Sequence, residues 1–257
     1  LSAMSGTTNT LVEIADYIAR HNVNGAKATI NTLEKKYIAT INELYDREED
    51  RTEARRWIDE SFRLLRSYAH EGEHPATMEK EILAQGELMS THLMDVYMHS
   101  QGINSVWLPA LEFMRTDSDA EADIDYISEH LQPMLDAHGD AHLFVTQGFI
   151  CRNYRGETDN LQRGGSDLTA TLIGAAIYAD EIEIWTDIDG MHNNDPRFVE
   201  GTTPVAELHF DEAAELAYFG AKILHPACVM PAKLNNIPIR VLNTMAPPAR
   251  GTLLYNT

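Results

Sequence analysis

"LQRGGSDLTATLIGAAIYADEIEIWTD", running from Leu161 to Asp187, sets a glycine turn, an apolar helix and a strand in immediate succession. Ser166 to Ala179 repeats its apolar residues every three or four positions, which is a helical period. Glu181 to Asp187 is of strand length and carries isoleucines, a tryptophan and a threonine. The alternation continues downstream, with helices predicted over 211–224 and 226–236 and a strand over 237–243. Strands alternating with helices predict an α/β fold in which a parallel sheet is covered on both faces.

Upstream, "LVEIADYIARH", "INTLEKKYIATINELYD", "EARRWIDESFRLLRSYAH" and "EKEILAQGELMSTHLMDVYMHS" predict helix after helix over residues 10 to 100. "EGEHP" and the Gly102 region break the run. "SVWLPAL" and "AHLFVTQGFI" are strand-length apolar runs on either side of a helix, "DIDYISEHLQPMLDAH". "CRNYRGETDNLQRGG" reads as a loop. The first residues, "LSAMSGTTN", read as the tail of a strand entering a turn, so further sequence is expected before them. No linker, internal repeat or low-complexity segment divides residues 1–257, which predicts one domain with the helical region inside it.

Hydrophobic residues make up 44% and charged residues 23%, the balance of an ordinary globular chain. No apolar run approaches the ~18 residues that span a bilayer, and no basic-then-apolar leader opens the chain. A cytoplasmic protein with no membrane partner is expected. The net charge of −20 argues against a nucleic-acid partner, whose phosphates it would repel. A phosphate-bearing small ligand remains compatible, since a few local cations can reverse the potential in one cleft. Cys151 and Cys228 have no CxxC partner, which excludes a multi-thiolate zinc site and leaves two buried or half-buried thiols.

In the opening stretch, Gly164 and Gly165 let the backbone approach a ligand closely, and Ser166 or Asp167 can cap the helix that follows. Free N–H groups at that helix start, with Arg163 beside them, suit an anion. A capped helix after a flexible turn explains the same residues. Neither a Gly-Lys-Ser/Thr loop nor a GxGxxG motif is present. "WTDIDGMHNNDPR", residues 185 to 197, invites a calcium-loop reading that fails. Counting from Asp187, the sixth residue is His192 rather than glycine, and the twelfth is Phe198 rather than glutamate. No metal ligands are expected from it. Thr186 and Asp187 stand at a strand end, where ligands of parallel sheets gather; a long polar connection would look alike. Lys222 lies in the last helical turn of "FGAKILHP", where it complements the dipole or serves a ligand. Gly86 interrupts an apolar helix at a cost of about 1 kcal/mol against alanine, so something should come close to it. Glu87 beside it is either a hydrogen-bonded buried carboxylate or a functional one. No GxSxG, HExxH or cysteine-nucleophile motif occurs.

"LSAMSGTTN", "GELMST", "TQGFI", "LQRGGSD", "EIEIWTDIDG", "DPR", "FDEAAELAYFGAKILHP", "IPIRVLNT" and "GTL", in that order, resemble the aspartate kinases, a branch of the amino-acid-kinase fold. The likeness spans essentially the whole chain. It implies a three-layer αβα sandwich around a mostly parallel central sheet of about eight strands. It also implies transfer of the γ-phosphoryl group of ATP to the side-chain carboxylate of L-aspartate, with Mg2+ held mainly through the nucleotide phosphates. Ser2, Thr8, Glu87 and Arg163 fall on the aspartate side. There a guanidinium would meet a carboxylate and Glu87 the substrate's ammonium. Gly164, Gly165, Ser166, Thr186, Asp187, His192, Arg197, Lys222 and Ile223 fall on the nucleotide side. Arg163, Asp167 and Lys222 are the implied catalytic groups. In-line transfer needs positioning and charge cancellation, so the absence of a side-chain nucleophile fits.

The chain departs from the family pattern in three ways. The opening Lys-Phe-Gly-Gly-Thr-Ser strand is not in the sequence, and His192 stands where many relatives carry tyrosine. The sequence also stops after "GTLLYNT", where relatives continue into regulatory domains or, in some, a homoserine dehydrogenase. Homodimers are usual in the family. A kinase for another acidic metabolite, or a nucleotide-binding module without turnover, are the competing expectations.

Overall fold

The computed structural model describes residues 1–70, 72–161, 164–194, 198–219 and 224–256. The chain forms two compact units, Leu1–Glu121 with Pro133–Asn160, and Ala122–Gln132 with Leu161–Thr257.

The first unit opens with four helices: α1 (Thr7–Ala19), α2 (Val23–Leu44), α3 (Glu48–Tyr68) and α4 (Met78–Ser100). The first three begin earlier than apolar spacing predicts, because polar groups start them. The Met4 carbonyl accepts the Thr7 N–H at 2.9 Å as the chain turns into α1. Asn22 accepts the Gly25 N–H at 2.9 Å and so caps α2. Glu48, Glu49 and Asp50 line the first turn of α3, where the helix dipole favours anions. The apolar stripes of the four close one core, with Leu11, Ile30, Tyr37, Phe62 and Ile82 fully buried.

β1 (Val106–Leu108) is shorter than its apolar run, because Pro109 has no N–H for a ladder and α5 (Ala110–Phe113) begins at once. α6 (Ile124–Asp136) follows, and its residues divide between the units. β2 (Phe144–Thr146) pairs with β1 in parallel, Trp107 opposite Val145. The strand expected in "AHLFVTQGFI", ending at Gly148, stops at Thr146; Phe149 then turns at φ 67, and β3 (Ile150–Arg152) starts. β3 pairs antiparallel with β4 (Thr158–Asn160), so the predicted loop over 151–165 contains a hairpin. Asn153 builds its turn, accepting the N–H groups of Arg155 and Glu157 at 2.9 and 3.0 Å.

The second unit holds α7 (Gly165–Ala176), β5 (Ile182–Thr186), β6 (Glu207–His209), α8 (Phe210–Phe219), α9 (Pro226–Leu234), β7 (Ile239–Asn243) and β8 (Thr252–Tyr255). Its strands lie in the order β5-β7-β8-β6. β5 with β7 and β6 with β8 are parallel, whereas β7 with β8 is antiparallel. Ile182, Ile184, Ile239, Val241 and Leu254 pack with Val229 and Ala232 of α9.

The α/β class thus holds, while the strands among the described residues fall into ladders of two, two and four. β5 also departs from the expectation of a strand covered on both faces. Ile182 and Ile184 are buried, but Glu183 and Trp185 face outward, with Trp185 46% exposed. "EIEIWT" alternates with period two, so one face takes the polar positions. Both cysteines are free and buried, as expected. No helix among the described residues is long and apolar enough to cross a membrane.

Candidate functional site

The predicted site residues that can be described gather in two clusters, one in each unit. In the first unit the cluster is built on α4. A Cβ at Gly86 would come within 2.8 Å of the Ala3 Cβ and 3.2 Å of Leu11 Cδ1. The glycine therefore lets the segment before α1 lie directly on α4, the close approach its position in the sequence demanded. Ala3 then donates its N–H to Glu87 Oε1 at 3.1 Å. Ser90 Oγ donates to the Ser2 carbonyl at 2.7 Å.

Glu87 is only 3% exposed, and its second oxygen, Oε2, has no hydrogen-bond partner. A buried acceptor left this way is costly, so it marks a place where a donor is expected. Burial pushes the Glu87 carboxyl up to about 7, against the pull of the Ala3 N–H. Thr7 is fully buried, its hydroxyl 3.3 Å from that of Tyr37. Thr8 next to it is half-buried, and Ser2 is exposed.

The second cluster surrounds the start of α7. Gly164 and Gly165 both have positive φ, 84° and 48°. A Cβ at Gly164 would fall 2.0 Å from Cys228 Sγ, so only glycine lets the turn settle on α9. The turn leaves Gly165 and Ser166 in the first helical position and the one after it, where backbone N–H groups have no intrahelical acceptor. Asp167 stands in the same turn, and burial pushes its carboxyl up to about 6.

At the end of β5, Thr186 Oγ1 donates to Asp187 Oδ1 at 3.2 Å. The loop beyond is fixed by two anchors. His192 is 7% exposed and uses both ring nitrogens, Nε2 to Asp189 Oδ1 at 2.7 Å and Nδ1 to Thr202 Oγ1 at 2.9 Å. The bond from His192 also holds the Asp189 carboxyl below the usual range. Thr252, wholly buried on β8, accepts the Met191 N–H at 2.8 Å and donates to the Val205 carbonyl at 2.6 Å. Thr252→Val should orphan both groups, lowering stability by about 2–3 kcal/mol. Thermal melts would check it, and an unchanged melting point would refute the anchor.

Arg163, Arg197, Lys222 and Ile223 lie outside the described residues. Sequence reasoning passed over three further positions. Phe149 adopts a left-handed backbone, φ 67, which non-glycine residues take uncommonly. Thr146 Oγ1 is buried without a partner, and so are both side-chain atoms of Asn160, itself 4% exposed. "TQGFI" carries two of the three, but nothing in its composition distinguishes a strained backbone from a plain strand end. No group of three or more His, Cys, Asp or Glu able to hold a metal occurs among the described residues.

The two clusters present an orphaned buried carboxylate and a glycine turn at a helix start. Residues 2–243 match the model of the amino acid kinase family. The chain belongs to that family.

Among curated relatives, this chain is 35% identical to the lysine-sensitive aspartokinase 3 of Escherichia coli, over 100% of its own length and 57% of the relative's. It is 34% identical to aspartokinase 1, chloroplastic, of Arabidopsis thaliana, over 100% of its length and 46% of the relative's. The chain thus spans about half the length of the curated relatives it matches. Among solved structures, E. coli aspartokinase III in complex with aspartate and ADP superposes with a TM-score of 0.86 at 33% identity. That match covers 100% of this chain and 57% of the other.

Proposed function

We propose that this chain is the catalytic part of an aspartate kinase, transferring the γ-phosphoryl group of ATP to the side-chain carboxylate of L-aspartate. The observation that carries the reading is the Glu87 carboxylate, buried with one oxygen unpartnered. The substrate's α-ammonium would supply the missing donor and the compensating charge. Support comes from the relatives, which are aspartokinases, and from the neighbouring structure, which holds aspartate and ADP.

In this reading Ser2, Thr8, Glu87 and Arg163 hold aspartate, with Arg163 meeting a substrate carboxylate bidentately. The N–H groups of Gly165 and Ser166 cancel charge on the phosphates as it shifts toward ADP. Thr186, Asp187, the loop fixed by His192, and Arg197, Lys222 and Ile223 hold the nucleotide. Asp167, half-buried in the first turn of α7, positions the cations that the reaction gathers, Arg163 and Lys222 among them. The attacking oxygen belongs to a carboxylate that is already ionised. It forms the new P–O bond as the bond to the ADP oxygen breaks, and no protein base is required. A magnesium ion would neutralise the nucleotide's phosphate charge. In this reading the ion is held mainly through those phosphates. The same reading includes the family's three-layer architecture with one central sheet of about eight strands, a homodimer, a place in lysine, threonine and methionine synthesis, and a cytoplasmic location.

The test is coupled ADP release with MgATP, with and without L-aspartate, together with aspartate binding measured directly. Aspartate-dependent turnover is expected, and glutamate or an N-acetylated amino acid should not replace aspartate. Turnover on another acidic metabolite instead would sink the substrate assignment. Arg163→Ala should remove aspartate use while sparing ATP affinity, and Asp187→Ala should do the reverse. Loss of the same ligand in both would refute the division of roles.

A further inference from the structure

One buried polar node in the first unit has its hydrogen-bonding capacity fully used. Thr91 and Gln147 are both fully buried. The Thr91 hydroxyl donates to the Glu87 carbonyl at 2.8 Å, one helical turn back along α4. It accepts from Trp107 Nε1 of β1 at 3.1 Å and from Gln147 Nε2, just beyond β2, at 2.9 Å. A hydroxyl has one proton to give and two lone pairs to offer, so this one is fully used. Gln147 Oε1 in turn accepts the Ala110 N–H at 2.8 Å. The node therefore ties α4, at the level of Glu87, to the C-terminal ends of both strands of the parallel pair. His92, next in sequence, reinforces it, stacked between Trp57 at 3.9 Å and Trp107 at 4.2 Å.

We infer that Thr91 and Gln147 are positioning residues, which fix the helical turn of Glu87 so that its unpartnered oxygen is presented to an incoming ammonium in one place. Neither side chain reaches the Glu87 carboxylate itself; both act through the backbone of its helix. A pre-set acceptor binds more tightly than one that must be ordered on contact. The inference rests on the reading of Glu87 as the ammonium site.

The chemistry of the node separates three variants. Thr91→Ser keeps the hydroxyl and should behave as the parent. Thr91→Val keeps the shape but orphans two donors, and Gln147→Leu removes one arm. Two readouts apply to the whole chain: the titration of the Glu87 carboxyl carbon by NMR, which needs no substrate, and separate affinities for L-aspartate and ATP. In Thr91→Val the Glu87 titration should fall from about 7 toward the ordinary range as water reaches the loosened turn. Aspartate affinity should drop about 10-fold, with ATP affinity unchanged. Gln147→Leu should follow in the same direction. A folded Thr91→Val protein with both readouts unchanged would overturn the inference. So would equal loss of both ligands, since that is a structural defect. A shifted Glu87 titration in a chain that never binds aspartate would instead uphold the positioning and sink the ammonium reading.

Discussion

Glu87→Gln is expected to abolish aspartate binding and, in the ligand-free protein, to raise stability at alkaline pH. The two effects have one origin. The carboxyl titrates near 7 in the folded protein because it is buried, against an ordinary value of 4.5 once the chain unfolds. The folded state therefore binds the proton more tightly. Its stabilising contribution is fully present below 4.5 and is lost as the pH rises through 7. The total loss is on the order of 3 kcal/mol, most of it falling between pH 5 and pH 8. Glutamine keeps the acceptor for the Ala3 N–H but carries no charge, so its contribution is flat in pH. Its own unpartnered amide costs about 1–3 kcal/mol, which offsets part of the gain. The variant's melting temperature relative to the parent should therefore climb by roughly 5 °C or more between pH 5 and pH 8. Melts at both values and an aspartate titration test this. A constant difference between the two proteins would show that Glu87 is not held as described.

The second large effect is expected at Gly164. Alanine there must adopt φ near 84°, a left-handed backbone costing about 1–2 kcal/mol. It must also find room for a methyl group placed 2.0 Å from Cys228 Sγ. Cys228 is itself buried on α9, so its sulfur has little free space to turn into. The start of α7 has to move, carrying the N–H groups of Gly165 and Ser166 with it. Nucleotide affinity should fall by about 100-fold or more, and stability by roughly 2–4 kcal/mol. Adding Cys228→Ala removes the overlap but not the backbone strain, so the double variant should recover stability only in part. Full recovery would mean that the strain is negligible, and an unaffected single variant would mean that the turn does not seat on α9.

The fold was legible wherever burial imposed a period. α1, α2 and α3 each bury one stripe, α4 buries every residue from Ile82 to Glu87, and β5 with β7 follow from isoleucines and valines at strand spacing. Helix starts were less legible because Asn22 and the acids at 48–50 act through capping, which apolar spacing does not register. β3 and β4 fall where the sequence predicts a loop, because their hairpin is held by Asn153 and contains "CRNYRGETDN", too polar to signal a strand. β6 is three residues long, and in β8 the apolar run "TLLY" hides the alternation in which Thr252 and Leu254 are buried. Within the candidate site, Glu87 was visible because Gly86 had no other reason to interrupt a helix. The bonds of His192 to Asp189 and Thr202 were not, since they depend on how one loop returns on itself. The Thr91 node was hidden for the same reason: its four contributors are scattered over three elements and a loop end.

The anchoring of the 187–205 loop by Thr252 also bears on the order in which the second unit folds. The hydroxyl that fixes Met191 arrives 61 residues later in the chain. Contacts of such sequence separation form late, because the intervening chain must be closed before they offer any return. During synthesis from the N-terminus, α7 can be complete while β5 still awaits its ladder partner β7 and the loop beyond β5 awaits β8.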